Sequence, residues 1–168
     1  NKNKVLSEVA LFPPIIYIDT IKKMNKNSNI SIGAQDCSKN ISGAYTGEVS
    51  ATMLLDIGCK YVIVGHSERR NGNHESNQDI FLKAKNVIDN QMIPIICVGE
   101  SLKDREAGNA LQFIESQLKE SIPINKNNNE FIIAYEPIWA IGSGKIPTID
   151  SINEMLNMIR QWLLNNGI

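Results

Sequence analysis

Apolar residues recur along the chain in two alternating patterns, one typical of strands and the other of helices. Short apolar runs without a polar stripe are typical of buried parallel strands, and apolar residues spaced three or four positions apart are typical of amphipathic helices. The runs predict strands at residues 5–12, 30–35, 60–64, 92–98 and 131–135. The periodic segments predict helices at residues 15–27, 49–57, 75–91, 110–121 and 149–166.

The polar segments between these elements are predicted as loops or connectors, including residues 36–48, 65–73, 99–108 and 123–130. Strict alternation of strands and helices predicts an α/β fold with a parallel sheet. Two arrangements remain open, a small doubly wound sheet and an incomplete (β/α)8 barrel. Because such barrels use about 250 residues for eight units, the 168 residues of this chain fit five units.

Composition indicates one globular domain, with 42% apolar residues and a net charge of −1. The longest basic run is Arg69-Arg70, which gives no argument for a nucleic-acid partner, and no apolar run is long enough to span a bilayer. The three cysteines, Cys37, Cys59 and Cys97, are widely spaced, which favours free thiols in a reducing compartment over disulfides or a zinc site. We therefore expect a cytoplasmic protein without a membrane or nucleic-acid partner.

Candidate chemistry lies where the predicted strands end. Glu136 follows the apolar run 131–135, and Pro137 stops that strand because proline has no N–H to donate to a sheet. His66 follows the strand predicted at 60–64. In a barrel the carboxyl ends of the strands meet at one face, so His66 and Glu136 are expected at a common mouth, where they would form an acid–base pair.

Plainer interpretations of these residues stay open: a lone loop histidine is often structural, and a glutamate at a strand end is often a solvated cap. The segment from Gly142 to Lys145 is not a phosphate-binding P-loop, because Trp139 stands where that motif needs glycine and Ile146 where it needs serine or threonine. No metal site is predicted, since standard ligand spacing is not met by His66, Glu68, His74 and Glu75.

Two segments closely resemble signature segments of the triosephosphate isomerase family. They are Gly-His-Ser-Glu-Arg-Arg at residues 65–70 and Ala-Tyr-Glu-Pro-Ile-Trp-Ala-Ile-Gly-Ser-Gly-Lys at residues 134–145. Shorter matches occur, in the same order as in the family, at residues 43–48, 97–100 and 105–108. The resemblance covers the chain from strand two to helix six of that family's TIM barrel.

The resemblance implies an isomerase of glycolysis and gluconeogenesis that needs no cofactor or metal and interconverts dihydroxyacetone phosphate and D-glyceraldehyde 3-phosphate through an enediolate. Glu136 would be the base, and His66 would be the neutral electrophile known in this family. Gly142 and Ser143 would bind the substrate, and Glu68 would support the site. A lid over the site would comprise Pro137, Ile138, Trp139, Ala140, Ile141, Gly142, Ser143, Gly144 and Lys145.

The resemblance also implies a homodimer, in which a surface loop reaches into the partner subunit. The loop residues would be Tyr45, Thr46, Gly47 and Glu48. The family's first strand carries a lysine in a segment like Asn-Trp-Lys, and this sequence has no such segment; its tryptophans are Trp139 and Trp162.

We therefore expect residues 1–168 to form a single partial TIM-barrel domain that lacks the first and last β/α units. We also expect little or no isomerase activity from this chain alone. The alternatives are an inactive, truncated remnant of the enzyme and a small doubly wound α/β binding domain.

Overall fold

A computed structural model of the chain describes residues 7–124 and 130–168. Five strands form one sheet in which each strand pairs in parallel with the next along the chain. They are β1 (Ala10–Leu11), β2 (Ser31–Ala34), β3 (Tyr61–Val64), β4 (Ile93–Val98) and β5 (Ile132–Tyr135).

The order of the strands distinguishes between the two arrangements that the sequence leaves open. A doubly wound sheet reverses its strand order at a switch point. Here the order runs from β1 to β5 without reversal, which is the order of a barrel. The chain is therefore an α/β protein whose five strands form a curled half-barrel, an incomplete TIM barrel, and the doubly wound alternative is wrong.

Seven α-helices lie between or after the strands in the described residues. They are α1 (Ile18–Met24), α2 (Ala51–Asp56), α3 (Ser67–Gly72), α4 (Asn77–Asp89), α5 (Leu102–Glu106), α6 (Ala110–Ser121) and α7 (Ile149–Asn165). Short 3-10 turns precede α1, at Ile15–Tyr17, and follow β5, at Ile138–Ala140. No helix of the described ranges is long and apolar enough to cross a membrane.

Two helices lie where loops were predicted, and both predictions were wrong. Helix α3 has the sequence Ser-Glu-Arg-Arg-Asn-Gly and α5 has Leu-Lys-Asp-Arg-Glu, and neither is long enough to show an apolar stripe. Each begins at a side chain that accepts a free backbone N–H, His66 before α3 and Ser101 before α5. Caps stabilise these helices where apolar periodicity gives no signal.

The first strand and the connector after α6 also differ from their predicted ranges. The strand predicted at 5–12 is a strand only at Ala10–Leu11, and its first two residues lie outside the described ranges. The predicted connector at 123–130 also lies largely outside them. The other five helices and four strands overlap their predicted ranges, with ends that differ by a few residues. The helix predicted at 15–27 begins with the 3-10 turn.

The core lies between the convex face of the sheet and the helices. Strand residues Ile32, Val62, Val64, Ile96 and Val98 are buried there. They pack in one cluster with helix residues Ile80, Ala84, Val87, Ile114, Leu118, Met155 and Ile159. Alternation along a strand sends the intervening side chains to the concave face, and the carboxyl ends of the strands carry the polar residues considered next.

Candidate active site

His66 and Glu136 lie in contact at the carboxyl ends of β3 and β5. The His66 Nε2 atom is 3.0 Å from the Glu136 Oε1 atom. Gly65, in the left-handed region with φ of +73°, turns the chain out of β3 so that His66 becomes the N-cap of α3. On the other side, the Glu136 backbone N–H donates to the Val98 carbonyl at 2.8 Å, which extends the pairing of β5 with β4.

The contacts of His66 define which ring nitrogen carries the proton. Nδ1 accepts a hydrogen bond from the Glu68 backbone N–H at 3.3 Å, so Nδ1 is not protonated in this arrangement. A neutral imidazole whose Nδ1 accepts this bond carries its proton on Nε2, which faces the Glu136 carboxylate. A neutral Nε2–H can donate to an oxygen atom placed at this mouth.

Ser67 holds the Glu136 carboxylate from the other side. Its backbone N–H donates to Oε2 at 3.0 Å, and its hydroxyl donates to Oε1 at 2.6 Å. Ser67 is 4% exposed. We did not predict this role for Ser67, and its place directly after the N-cap histidine is the only signal that the sequence contains.

Glu100 anchors the first part of the predicted lid. The side chain is fully buried, and its Oε1 accepts from the Trp139 indole N–H at 2.7 Å and from the Tyr135 hydroxyl at 3.0 Å. Arg105 donates to the same oxygen at 2.7 Å, and its guanidinium lies over the Trp139 ring. Burial, with the neighbouring Glu100 carboxylate, raises the pKa of Tyr135 well above its usual range, so the phenol stays protonated and donates.

The tip of the predicted lid is exposed, unlike its anchored start. Gly142 and Gly144 adopt the left-handed region, with φ of +65° and +73°. The Ser143 hydroxyl donates to the Ala140 carbonyl and accepts from the Lys145 N–H, which closes a local turn. Within residues 7–124 and 130–168, no hydrogen bond joins Gly142 or Ser143 to His66 or Glu136, so their predicted role in substrate binding remains a prediction.

Glu68 also remains a predicted supporting residue. Its side chain is 84% exposed, and its Oε2 lies 3.8 Å from His66 Nδ1. Within residues 7–124 and 130–168, Glu68 forms no ion pair with Arg69 or Arg70.

Arg70 ties together the strand ends beneath the site, another role that sequence reasoning missed. It donates to the carbonyls of Gly65 at 2.7 Å and Cys97 at 2.9 Å, and to the Asn77 side chain at 2.6 Å. Burial lowers the pKa of Arg70 to about 10, which still leaves it charged at neutral pH. The ends of β3 and β4 are therefore joined by one partly buried cation.

A polar cleft of about 890 Å³ adjoins the site, lined by His66 together with the loop that contains Gly47 and Glu48. A network of ion pairs forms its wall. Lys83 contacts Asp36 and Glu75, each at 2.7 Å, and Arg69 contacts the same two carboxylates. In the loop, Glu48 accepts a hydrogen bond from Ser38, while Tyr45 is 49% exposed.

Comparisons with known proteins match the chain to one family. The sequence model of the triosephosphate isomerase family matches residues 1–167. A triosephosphate isomerase of Wolbachia sp. subsp. Brugia malayi is 45% identical over 160 residues, which are 95% of this chain and 65% of that protein. One of Ehrlichia chaffeensis is 50% identical over 155 residues, 92% of this chain and 62% of that protein.

A third relative, the triosephosphate isomerase of Neurospora crassa, is 43% identical over 160 residues, with 95% of this chain and 64% of that protein covered. The chain thus spans a little under two thirds of the length of these relatives. The matched family and the strand order point to the same fold, and the chain belongs to the triosephosphate isomerase family.

Proposed function

We propose that the protein is an isomerase that interconverts dihydroxyacetone phosphate and D-glyceraldehyde 3-phosphate, with Glu136 as base and His66 as electrophile. The observation that carries the proposal is the 3.0 Å contact between His66 Nε2 and Glu136 Oε1 at the carboxyl ends of two barrel strands. Family membership supplies the substrate class, since the matched relatives are named triosephosphate isomerase.

The two groups divide the reaction between them. The Glu136 carboxylate takes a proton from the carbon next to the substrate carbonyl, and the electron pair of that C–H bond moves toward the carbonyl oxygen. His66 Nε2–H donates a hydrogen bond to that oxygen as its charge develops. The hydroxyl proton on the first oxygen then passes to the former carbonyl oxygen, and Glu136 returns its proton to the neighbouring carbon, which converts the ketose into the aldose.

The substrate must displace contacts that exist without it. In the structure Nε2 faces Glu136 itself, and Ser67 donates twice to the same carboxylate. A carbonyl oxygen that takes the place of Glu136 at Nε2 would release one carboxylate oxygen toward the substrate carbon. Until the substrate separates them, His66 Nε2 and the Glu136 carboxylate therefore contact each other through the atoms that would act on the substrate.

The lid completes the proposal. Gly142 and Ser143 bind the substrate phosphate when the lid closes, and Ile138, Trp139 and Ile141 exclude water from the enediolate. Exclusion matters because an enediolate open to solvent would eliminate phosphate. The anchored start and exposed tip of this segment are consistent with a lid that moves at its tip.

We further propose that residues 1–168 contribute five consecutive β/α units to a single barrel domain, and that the full protein is a homodimer in the cytoplasm. The loop of Tyr45, Thr46, Gly47 and Glu48 would reach the partner subunit. Its exposure supports this role, and the buried free thiols of Cys37, Cys59 and Cys97 fit a reducing compartment. The activity of the 168-residue chain alone is expected to be low, because the sequence lacks an Asn-Trp-Lys segment.

Proton exchange tests the proposal more sensitively than turnover. In D2O, a functional base exchanges deuterium into the C1 position of dihydroxyacetone phosphate even when little product forms, and NMR measures the rate. We expect Glu136→Gln to lower that rate at least about 100-fold, the usual contribution of a general base. Glu154→Gln, on the exposed face of α7, is the matched control and should leave it unchanged.

Two results would contradict the proposal. One is an exchange rate in the Glu136→Gln chain equal to that of the unchanged chain. The other is an unchanged, folded chain with no exchange above that of buffer alone. Turnover close to the diffusional ceiling would instead refute the expectation of low activity for these 168 residues.

A further inference from the structure

Gly99, which directly follows β4, is a glycine for a reason other than conformational freedom. Most glycines of the chain adopt positive φ, whereas Gly33, Gly72 and Gly99 do not. The φ of Gly99 lies outside the left-handed region that favours glycine. The lack of a side chain there must therefore serve close packing.

The atom that fills the space beside Gly99 belongs to Glu136. A Cβ atom built on Gly99 would lie 1.8 Å from the Glu136 carbonyl oxygen, 3.0 Å from its carbonyl carbon and 3.0 Å from the Ile138 Cγ1 atom. A contact of 1.8 Å is impossible, and a backbone carbonyl directly after a strand cannot move aside as a flexible side chain can. The Glu136 carbonyl, which joins the candidate base to the lid, thus occupies the space that a side chain at position 99 would need.

Gly99 is itself held from the opposite side. Its N–H donates to Gln117 Oε1 at 2.9 Å, and Gln117 is 4% exposed on α6. The neighbouring α6 residues Ile114 and Leu118 are fully buried in the core. Because the Glu136 N–H donates to Val98, both backbone polar groups of Glu136 lie against the end of β4, and α6 fixes that end.

We propose that Gly99 is a positioning residue for Glu136, and that Gln117 is the anchor that holds Gly99 in place. The inference rests on the proposed function, because it concerns where that function's base lies. A side chain at position 99 would push the Glu136 backbone away from β4. The carboxylate would then lose its present distances to Ser67 and His66, and catalytic geometry is sensitive to shifts of about 1 Å.

NMR of the isotope-labelled 168-residue chain reads this positioning without substrate. The Ser67 amide proton reports its bond to Glu136 Oε2, and the ring nitrogens of His66 report the contact at Nε2. His74, the only other histidine, is exposed and serves as an internal reference. In Gly99→Ala we expect the Ser67 amide proton to move upfield and the His66 ring shifts to change, with His74 unchanged.

Gly72→Ala is the matched control, because that glycine also lacks positive φ and a Cβ there meets nothing within 4 Å. It should leave the Ser67 and His66 signals in place. Gln117→Met, which keeps the size but removes the acceptor, should shift both signals in the same direction as Gly99→Ala but by less.

A folded Gly99→Ala chain with unmoved Ser67 and His66 signals would overturn the proposal. If the Gly99→Ala chain does not fold, Gln117→Met tests the proposal in its place. Unmoved Ser67 and His66 signals in the Gln117→Met chain would then overturn it. These signals do not depend on turnover. Shifted signals in a chain that shows no deuterium exchange would refute the proposed function and leave the positioning by Gly99 standing.

Discussion

Ser67 donates two hydrogen bonds to the carboxylate of Glu136, one from its backbone at 3.0 Å and one from its hydroxyl at 2.6 Å. The two residues are far apart in sequence and meet only because β3 and β5 end at the same edge of the sheet. This pair restrains the candidate base in the absence of substrate. It also couples the first turn of α3 to the end of β5.

Ser67→Ala removes one of these two bonds and leaves the other. We expect the free energy of unfolding to fall by about 1–2 kcal/mol, because a hydrogen bond to a charged group contributes more than a neutral one. Urea denaturation followed by circular dichroism measures the change. Ser42→Ala, in an exposed loop position, is the control, and an equal effect in both variants would count against the bond to Glu136.

The bond between Trp139 and Glu100 is expected to restrain the lid. Trp139→Phe keeps an aromatic ring beside Arg105 but removes the indole N–H that donates to Glu100. Loss of a hydrogen bond to a charged group should raise the fraction of molecules in which the lid is open about tenfold. The rate of limited tryptic cleavage after Lys145 should rise by the same factor.

Trp162→Phe, on α7, makes the same chemical change away from the lid and should leave cleavage after Lys145 unchanged. Mass spectrometry identifies the cut, and urea denaturation shows whether either variant is globally destabilised. Equal cleavage rates in the two variants, at equal global stability, would show that the indole bond does not restrain the segment.

Sequence patterns were sufficient for most of the fold and insufficient for its short helices. The apolar runs of β3 and β4 and the apolar stripe of α6 each carry a local signal, because burial of a strand or helix face requires it. Helices α3 and α5 carry none. Their stability comes from caps at His66 and Ser101, which are single contacts rather than periodic patterns.

In the candidate site, too, the sequence predicted some residues and not others. A parallel sheet with its strand ends at one edge was enough to expect His66 and Glu136 near each other, and the structure places them in contact. The groups that position them could not be predicted in this way. Gly99 contacts Glu136, and Gln117 contacts Gly99, through the register of β4 with β5 and the rotation of α6, which only the assembled structure defines.

Lys83 is the central cation of the ion-pair network beside the cleft, and its loss should be costly. It is 4% exposed and contacts Asp36 and Glu75, so Lys83→Met would leave two partly buried carboxylates with less compensation. We expect the free energy of unfolding to fall by about 3–5 kcal/mol. Lys85→Met removes an exposed ion pair on the same helix and should change it by less than about 0.5 kcal/mol.

The fall in the free energy of unfolding caused by Lys83→Met should depend on pH. Burial raises the pKa of Asp36, and Lys83 opposes that shift, so removing Lys83 would raise the folded-state pKa further. An acid whose folded pKa is raised loses stability as pH rises, because the unfolded chain releases its proton first. The fall in the free energy of unfolding caused by Lys83→Met should therefore be larger at neutral pH than at about pH 4. A fall that becomes larger on acidification would contradict this role of Asp36.

Cys97 should make the protein less stable in alkali. Burial raises the pKa of this thiol to about 12, and the nearby Glu136 carboxylate adds to the effect. An unfolded chain releases the same proton near its ordinary pKa of about 8.5. Between these values the unfolded state binds fewer protons than the folded state, so the free energy of unfolding falls as pH rises.

Cys97→Ala removes this contribution and serves as the comparison. We expect the free energy of unfolding of the unchanged chain, measured by urea denaturation, to fall more steeply than that of Cys97→Ala between about pH 8.5 and 10.5. At about pH 8 the folded thiol should react with an alkylating reagent roughly 1,000-fold more slowly than an exposed one, because so little thiolate is present. Equal slopes in the two chains, or rapid alkylation of folded Cys97, would show that this thiol is not protected by its burial beside Glu136.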